Sequence, residues 1–212
     1  MLQYKHFKNR EEWLIGRNEG IGASEAAAIV GASNWMTSTE LWEVKTGRRK
    51  PKDMSDNELV HYGTEAEKYI RALFRLKHEE LEMKYHPYDI LFQDYRPWLR
   101  CTLDGELTTE DGERGILECK VHFVRGKSDL AQWNNRIPDH YLIQILHQWL
   151  ASEFTFAYLT AEIIFQDFDS QLRTYYFKAE NYQEEMDWLL AEEEKFWESV
   201  KSGNSPPAKL IL

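Results

Sequence analysis

The sequence predicts an α/β protein, a central mixed β-sheet flanked by helices. Runs rich in β-branched and aromatic residues alternate with stretches of helical periodicity, which is the pattern of a layered α/β fold. The 212 residues are 42% hydrophobic and 14% aromatic, with 8 Trp and 11 Tyr, enough for one well-buried core. No internal repeat, low-complexity block or linker divides the chain, so residues 1–212 read as one domain with a C-terminal tail over 204–212.

The elements follow in order. "EEWLIGRNEGIGASEAAAIVG" reads as a helix, a glycine turn and a second short helix, with Ser24 as N-cap ahead of Ala26, Ala27 and Ala28. "TSTELWEVKTG" reads as a third helix ended by Gly47. The basic stretch "GRRKPKDMSDN" reads as a loop, and a long helical pattern runs from Glu58 to about His78. Strands are expected at "MKYHPYDILF", "WLRCTLDGEL" and "GILECKVHF", the last two joined as a hairpin by the turn-rich "TTEDGERG". "PDHYLIQILHQWLAS" reads as a helix with Leu142, Leu146, Trp149 and Leu150 on its apolar stripe. "FTFAYLTAEIIF" and "RTYYFKAE" read as strands, and "YQEEMDWLLAEEEKFWESVKSG" as a closing amphipathic helix.

Several classes are disfavoured at once. No apolar run approaches the roughly 18 residues of a membrane span, and "MLQYKHFKNREEW" has no signal-peptide core. Two cysteines, Cys101 and Cys119, fit a reduced cytosolic setting and make no metal-type spacing. A formal charge of −10 argues against nonspecific coating of nucleic acid, yet is compatible with a local basic channel in an acidic body.

The chemistry centres on "GILECK". In a strand, residues i and i+2 share a face about 6.5 Å apart, so Glu118 and Lys120 lie together while Leu117, Cys119 and Val121 face the core. Asp104 sits at a strand-end glycine in "TLDG" and comes beside Glu118 if the two strands pair. Two close carboxylates repel, and a hard divalent cation such as Mg²⁺ satisfies both, with the Cys119 carbonyl as a further oxygen donor. A lysine beside such an ion can orient a water and stabilise charge on a phosphate. The same pair can also be read as a surface salt bridge on a hairpin. On the long helix, Gly63, Glu67, Ile70 and Phe74 form the inward stripe, placing Glu67 toward the sheet and Glu65 about 200° away. Either Glu67 joins the carboxylates, or it reaches water at the stripe's edge. Tyr141, Gln144 and Gln148 lie on another face, where a Tyr and a Gln three apart suit hydrogen bonding to phosphate or sugar, although polar helix faces are common. Arg17 and Ser24 read in isolation as an exposed cation and an N-cap, but an Arg near a helix start would make a phosphate pocket.

Taken in order, "GIGASEAAAIVG" after Arg17, "NW", "TELWEVKTG", "YGTEAE", "TLDG", "LECK" and "YLIQILHQ" resemble the lambda-type phage exonuclease and viral recombinase family, which has the restriction-endonuclease-like PD-(D/E)XK core. Leu103 stands where that family usually has proline. The resemblance implies that Asp104, Glu118 and the Cys119 carbonyl hold Mg²⁺ (Mn²⁺ substituting), with Glu67 contributing and Lys120 positioning the water. It implies Gln144 near the reacting phosphate with Tyr141 one turn before it, and Arg17, Ser24 and Thr102 on the terminal 5′-phosphate. Asp94 matches a further family acid. Relatives degrade one strand of linear duplex DNA from 5′ to 3′, leave a 3′ overhang for a single-strand annealing protein, and form ring trimers around DNA. A cytoplasmic enzyme in a bacterial host is therefore expected, with the loop at residues 47 to 52 a candidate DNA contact. The four-cysteine iron–sulfur relatives of the fold are excluded by the cysteine count. Two alternatives remain, a structure-specific or nicking endonuclease and a non-catalytic DNA-binding module.

Overall fold

In the computed structural model, which describes residues 1–207 apart from 55 and 168, two mixed sheets replace the single central sheet. The α/β class holds. Residues 208–212 of the expected tail lie outside the described residues.

The chain starts with a strand that the sequence pattern did not reveal, β1 (Leu2–His6), followed by α1 (Arg10–Asn18), capped by the Asn9 side chain on the Glu12 N–H. Strand β2 (Ile21–Gly22) leads through a 3₁₀ turn at Ala23–Glu25 into α2 (Ala26–Ile29). Gly20 is required there, because a Cβ would stand 2.3 Å from the Trp98 carbonyl oxygen. Ser24 does not cap this helix. The Glu25 carboxylate instead accepts the Gly22 N–H, leaving the Ser24 hydroxyl for Arg17. Helix α3 (Ser38–Lys45) opens on a Thr37–Glu40 capping box and ends before Gly47 at φ +72°, as the sequence implies.

Helix α4 (Glu58–Lys77) is followed by β3 (Glu82–Lys84), β4 (Asp89–Gln93), β5 (Arg96–Cys101), β6 (Gly105–Thr108) and β7 (Arg114–Phe123). Two segments expected as continuous strands are each broken. "MKYHPYDILF" splits into β3 and β4, and "WLRCTLDGEL" into β5 and β6, the halves lying in different sheets. Pro87 and Tyr88 (φ 67°) turn the first. Thr102–Asp104 carries the second across. The small sheet runs β1-β4-β5-β2 and the large one β3-β6-β7, then β8 (Phe156–Ile164) and β9 (Ser170–Lys178). The expected β6–β7 hairpin forms, in the register Gly105 opposite Leu117.

Between β7 and its parallel neighbour β8 the chain makes α5 (Lys127–Ala131) and α6 (Asp139–Ser152). Helix α6 packs on both sheets and on the closing helix α7 (Gln183–Ser202). It is therefore buried nearly all round, whereas the sequence suggested a single stripe. Ile143 and Ile145 are buried, while Leu142 and Leu150 are only partly so. Odd residues of β7 (Leu117, Cys119) pack under α4 with Ala66, Ile70 and Phe74. Even residues turn toward α6.

Candidate active site

Strand β6 stops pairing with β7 at Gly105, so from Glu118 onward β7 has an edge that β6 does not cover. Asp104 stands at this break, and its Oδ2 accepts the Cys119 N–H at 2.7 Å. A strand residue's N–H and C=O leave on the same edge, so the Cys119 carbonyl faces the same opening. The geometry comes from the glycine after Asp104, which starts β6 one residue too late to cover the edge.

Glu118 is 3% exposed, yet three donors hold it. Its Oε1 accepts from Gln144 Nε2 and Lys120 Nζ, and its Oε2 from Gln148 Nε2, all at 2.6 Å. Lys120 therefore shares the face of Glu118, as the strand period requires, and its Nζ lies 5.1 Å above the Tyr141 ring. Glu67 reaches the same space from α4, with Arg71 Nη1 at 3.8 Å from its carboxylate and Tyr85 stacked on the Arg71 guanidinium.

Packing three carboxylates together has an electrostatic cost. Burial, then the Glu118 and Glu67 charges, push the Asp104 carboxyl well above its usual range. Burial and Glu118 likewise raise Glu67. For Lys120 burial opposes the charge, but Glu118 and Asp104 outweigh it and hold the ammonium above its ordinary value. Burial raises both thiols, Cys101 and Cys119, so neither is poised as a nucleophile.

These groups line one cavity of about 420 Å³ at the seam between the sheets, together with Thr102 and the Arg17–Ser24 pair. Arg17 Nη2 donates to Ser24 Oγ at 3.1 Å, and its guanidinium lies 4.7 Å from the Trp13 ring. Carboxylates and lysine thus occupy one end, and an arginine, a hydroxyl and the start of a helical turn the other.

Nine of the residues singled out from sequence face this cavity: Glu67, Asp104, Glu118, Cys119, Lys120, Gln144, Thr102, Arg17 and Ser24. Tyr141 is set back, packed on Trp133 and His140 beneath Lys120. Asp94 is elsewhere, exposed and paired with the Met1 ammonium at 2.6 Å. In the basic loop, Arg48 stacks on Trp42, and Arg49 pairs with Glu40 and Glu43. Gln148, which the sequence placed on the polar face of its helix without a role at the carboxylates, holds Glu118. It lies one turn after Gln144, and that i, i+4 spacing was the available signal. Trp13, Arg10, His86 and Tyr88, which also line the cavity, gave no motif at all. Among the described residues, no three His, Cys, Asp or Glu side chains form a ready-made metal cage.

The fold is of the class built by alkaline exonucleases. It superposes on the LHK-Exo alkaline exonuclease of Laribacter hongkongensis with a TM-score of 0.67 and 13% identity, over 92% of this chain and 94% of that one. The same enzyme in complex with dAMP gives 0.65 and 15%, again over 92% and 94%. Residues 12–155 match the YqaJ-like viral recombinase domain, and the chain belongs to that family. It is also 29% identical over 203 residues to the uncharacterized protein YqaJ of Bacillus subtilis (strain 168). That match takes in 94% of this chain but 59% of the relative, so the chain spans well under two thirds of that protein's length.

Proposed function

We propose that the chain is a Mg²⁺-dependent DNA exonuclease that degrades one strand of linear duplex from its 5′ end and leaves a 3′ overhang for recombination. One observation carries this reading. Asp104, Glu118 and Lys120 meet at an uncovered strand edge, in the same cavity as an Arg–Ser pair suited to a terminal phosphate. The members of that group match hydrolysis of a phosphodiester at a strand end.

The residues present fit a divalent cation. Burial and mutual repulsion raise the Asp104 and Glu67 carboxyls, so the cluster lacks positive charge that one Lys120 does not supply. Asp104, Glu118 and the Cys119 carbonyl offer hard oxygens, with Glu67 behind them, and Mg²⁺ keeps waters for its other positions. Mn²⁺ would substitute. Such an ion supplies Lewis acidity to the scissile phosphate and acidifies a water. The chain's own groups do the rest. Gln144 and Gln148 fix the Glu118 carboxylate so that it need not reorganise. Lys120 presents an ammonium to the attacking water and to phosphate charge. Arg17 Nη and Ser24 Oγ receive the 5′-phosphate with Thr102, setting the register of cutting at the end. Tyr141 acts from beneath Lys120.

No described helix is long and apolar enough to cross a membrane. The wider proposal is action on DNA ends in the cytoplasm of a bacterial host, as a ring trimer, with a single-strand annealing protein taking up the overhang. The test is a labelled linear duplex, with and without 5′-phosphate, in Mg²⁺. Mononucleotides released from the phosphorylated 5′ end are expected. Cleavage of closed circles at equal rate would replace the exonuclease with an endonuclease, and absence of any release would leave only a binding module.

A further inference from the structure

Tyr88 occupies a backbone position that a tyrosine does not favour. His86–Asp89 is a tight turn, in which the Asp89 N–H donates to the His86 carbonyl at 3.4 Å. Pro87 takes its second place and Tyr88, at φ 67°, its third. Proline followed by a residue at positive φ is the type II arrangement, which selects glycine or asparagine in the third place. The turn is also held from outside. The Phe7 N–H donates to the Tyr88 carbonyl at 3.2 Å, and β1 pairs with β4 through His6 and Asp89. Surroundings of this kind can hold a strained residue in place. A glycine would make the same turn more easily, so the turn does not account for the ring.

The ring has its place in the cavity. Tyr88 lines it beside Trp13, with the ring centroids 6.1 Å apart and tilted by 58°, and is still 37% exposed. At that tilt neither ring covers the face of the other, which leaves room for a third flat group. Trp13 in turn lies 4.7 Å from the Arg17 guanidinium, and its indole N–H meets no acceptor among the described residues. Arg10, Trp13 and Arg17 all line the cavity, and spacings of three and four put them on one stripe of α1. Cation, ring and cation in a row match a nucleotide strand, which alternates phosphates with flat bases. A cavity of about 420 Å³ has the size of a single small ligand, so a strand end entering it leaves its base pair behind. The base then loses its stacking, and an aromatic platform restores part of it.

We propose that Tyr88, with Trp13 beside it, is a base platform: it receives the base of the 5′-terminal nucleotide whose phosphate Arg17 and Ser24 hold. The ligand class is any flat nucleobase on a 5′-phosphorylated deoxyribose, because stacking does not read hydrogen-bond patterns. Held at phosphate and base, the terminal nucleotide is fixed at two points, which sets the next phosphate at the carboxylates. Tyr88 binds substrate and takes no part in proton transfer. Such a role rests on the nuclease reading for the strand that is bound, and the two can fail separately.

The test uses the whole chain and a 5′-phosphorylated duplex whose terminal residue is either a normal nucleotide or an abasic deoxyribose. In Mg²⁺ the wild type should release the base-bearing residue with a kcat/KM about 5- to 100-fold above the abasic one, the range of one base–aromatic stack. Tyr88→Asn, which suits positive φ, should bring the base-bearing end down toward the abasic rate. The two changes together should cost no more than either alone, and Tyr88→Phe should keep the preference. A second arm needs no cleavage. With Ca²⁺ in place of Mg²⁺ and 5-iododeoxyuridine as the terminal nucleotide, irradiation should cross-link the base to Tyr88, read by peptide mass. That wild-type result decides even where a variant fails to fold. A protein that releases nothing while Tyr88 still cross-links would end the nuclease reading and keep the platform. Equal rates from the two ends, a preference that survives in Tyr88→Asn, or a terminal base cross-linked elsewhere would each overturn it.

Discussion

Glu118 and Glu193 are both withdrawn from water, at 3 and 0% exposure, yet their surroundings differ in kind. Glu193, on α7, accepts from His147 Nδ1 at 2.6 Å, and His147 Nε2 donates to the Arg100 carbonyl at 2.9 Å. A carbonyl can only accept, so Nε2 carries a proton, and a further proton is shared between Nδ1 and the Glu193 carboxylate. Burial opposes the His147 charge, but Glu193 more than compensates and its pKa is raised. Glu118 has two neutral amides and a lysine, and it shares its space with two further carboxylates. One site is a closed pair that pins α6 to α7. The other is in charge deficit and opens on a cavity. Adjacent residues of one helix, His147 and Gln148, serve the two. Burial of a carboxylate therefore does not mark a candidate site, whereas an unbalanced set of buried carboxylates beside a cavity does.

That contrast can be broken most sharply at the carboxylate end of the cavity. Glu118→Gln and Lys120→Ala are expected to lower DNA digestion by roughly 10³-fold or more, as loss of a preorganised electrostatic group does. Their thermal midpoints should stay near wild type, and wild-type rates in either variant would remove the assignment. Glu193→Ala should behave in the opposite way. Leaving His147 buried without its partner costs about 3–5 kcal/mol, seen as a large fall in the denaturation midpoint, while activity of the remaining folded fraction persists.

Titration separates the same two places more gently. Folded-state pKa values of Asp104 and Glu67 are raised, so the folded protein binds protons that the unfolded chain does not in the window from the ordinary carboxylate range up to those raised values. In chelator, stability should rise as pH falls through that window. Added Mg²⁺ should stabilise most at the high-pH end, where it competes with no proton. Asp104→Asn should raise the metal-free midpoint near neutrality by a few degrees and abolish the Mg²⁺ increment. A midpoint in the wild type that ignores both pH and Mg²⁺ would speak against the charge deficit. His147 has the same sign, in a window that starts at the ordinary histidine value and not at the carboxylate one. Its raised pKa contributes stability that is fully present below the ordinary histidine value and is lost as pH rises through the folded one. Glu193→Gln should flatten that slope in a pH series of unfolding midpoints.

The smallest effect is expected at Gln148. Gln148→Ala removes one of three donors to Glu118 and should slow digestion about tenfold, of the order of one lost hydrogen bond to a charged group, with the KM for DNA unchanged. A larger loss in KM than in kcat would mean that Gln148 binds substrate and does not merely orient Glu118.

How much of this the sequence carried can be argued residue by residue. The strand period put Glu118 and Lys120 on one face, and the structure shows them there with their side chains in contact. The helical period placed Glu67 inward, and it reaches the cavity. Glycine after Asp104 signalled a turn, and the turn is where the carboxylate meets the Cys119 amide. Hidden were the features that depend on partners far along the chain. Strand β1 has no clear alternation because it is an edge strand that only β4 covers. The breaks at Pro87 and at Thr102–Asp104 looked like continuous strands, because local propensity does not record which sheet a strand joins. The burial of α6 on every side is likewise a consequence of its two sheets.

The sequence by itself determined the local chemistry: which side chains share a face, where turns fall, and which ordered motifs tie residues 12–155 to a viral recombinase family. Side-chain period and turn propensity are properties of a few adjacent residues, so they survive without the fold. Only the tertiary structure decided that β5 and β6 part at Asp104, that the Arg17–Ser24 pair opens into the same cavity as Lys120, and that Gln148 rather than Tyr141 touches Glu118. It also decided that His147 is a structural pin and that one flank of α4 is left uncovered. Those outcomes are set by packing between elements as much as 157 residues apart, as the Trp42–Ser199 contact shows, and no local pattern encodes them.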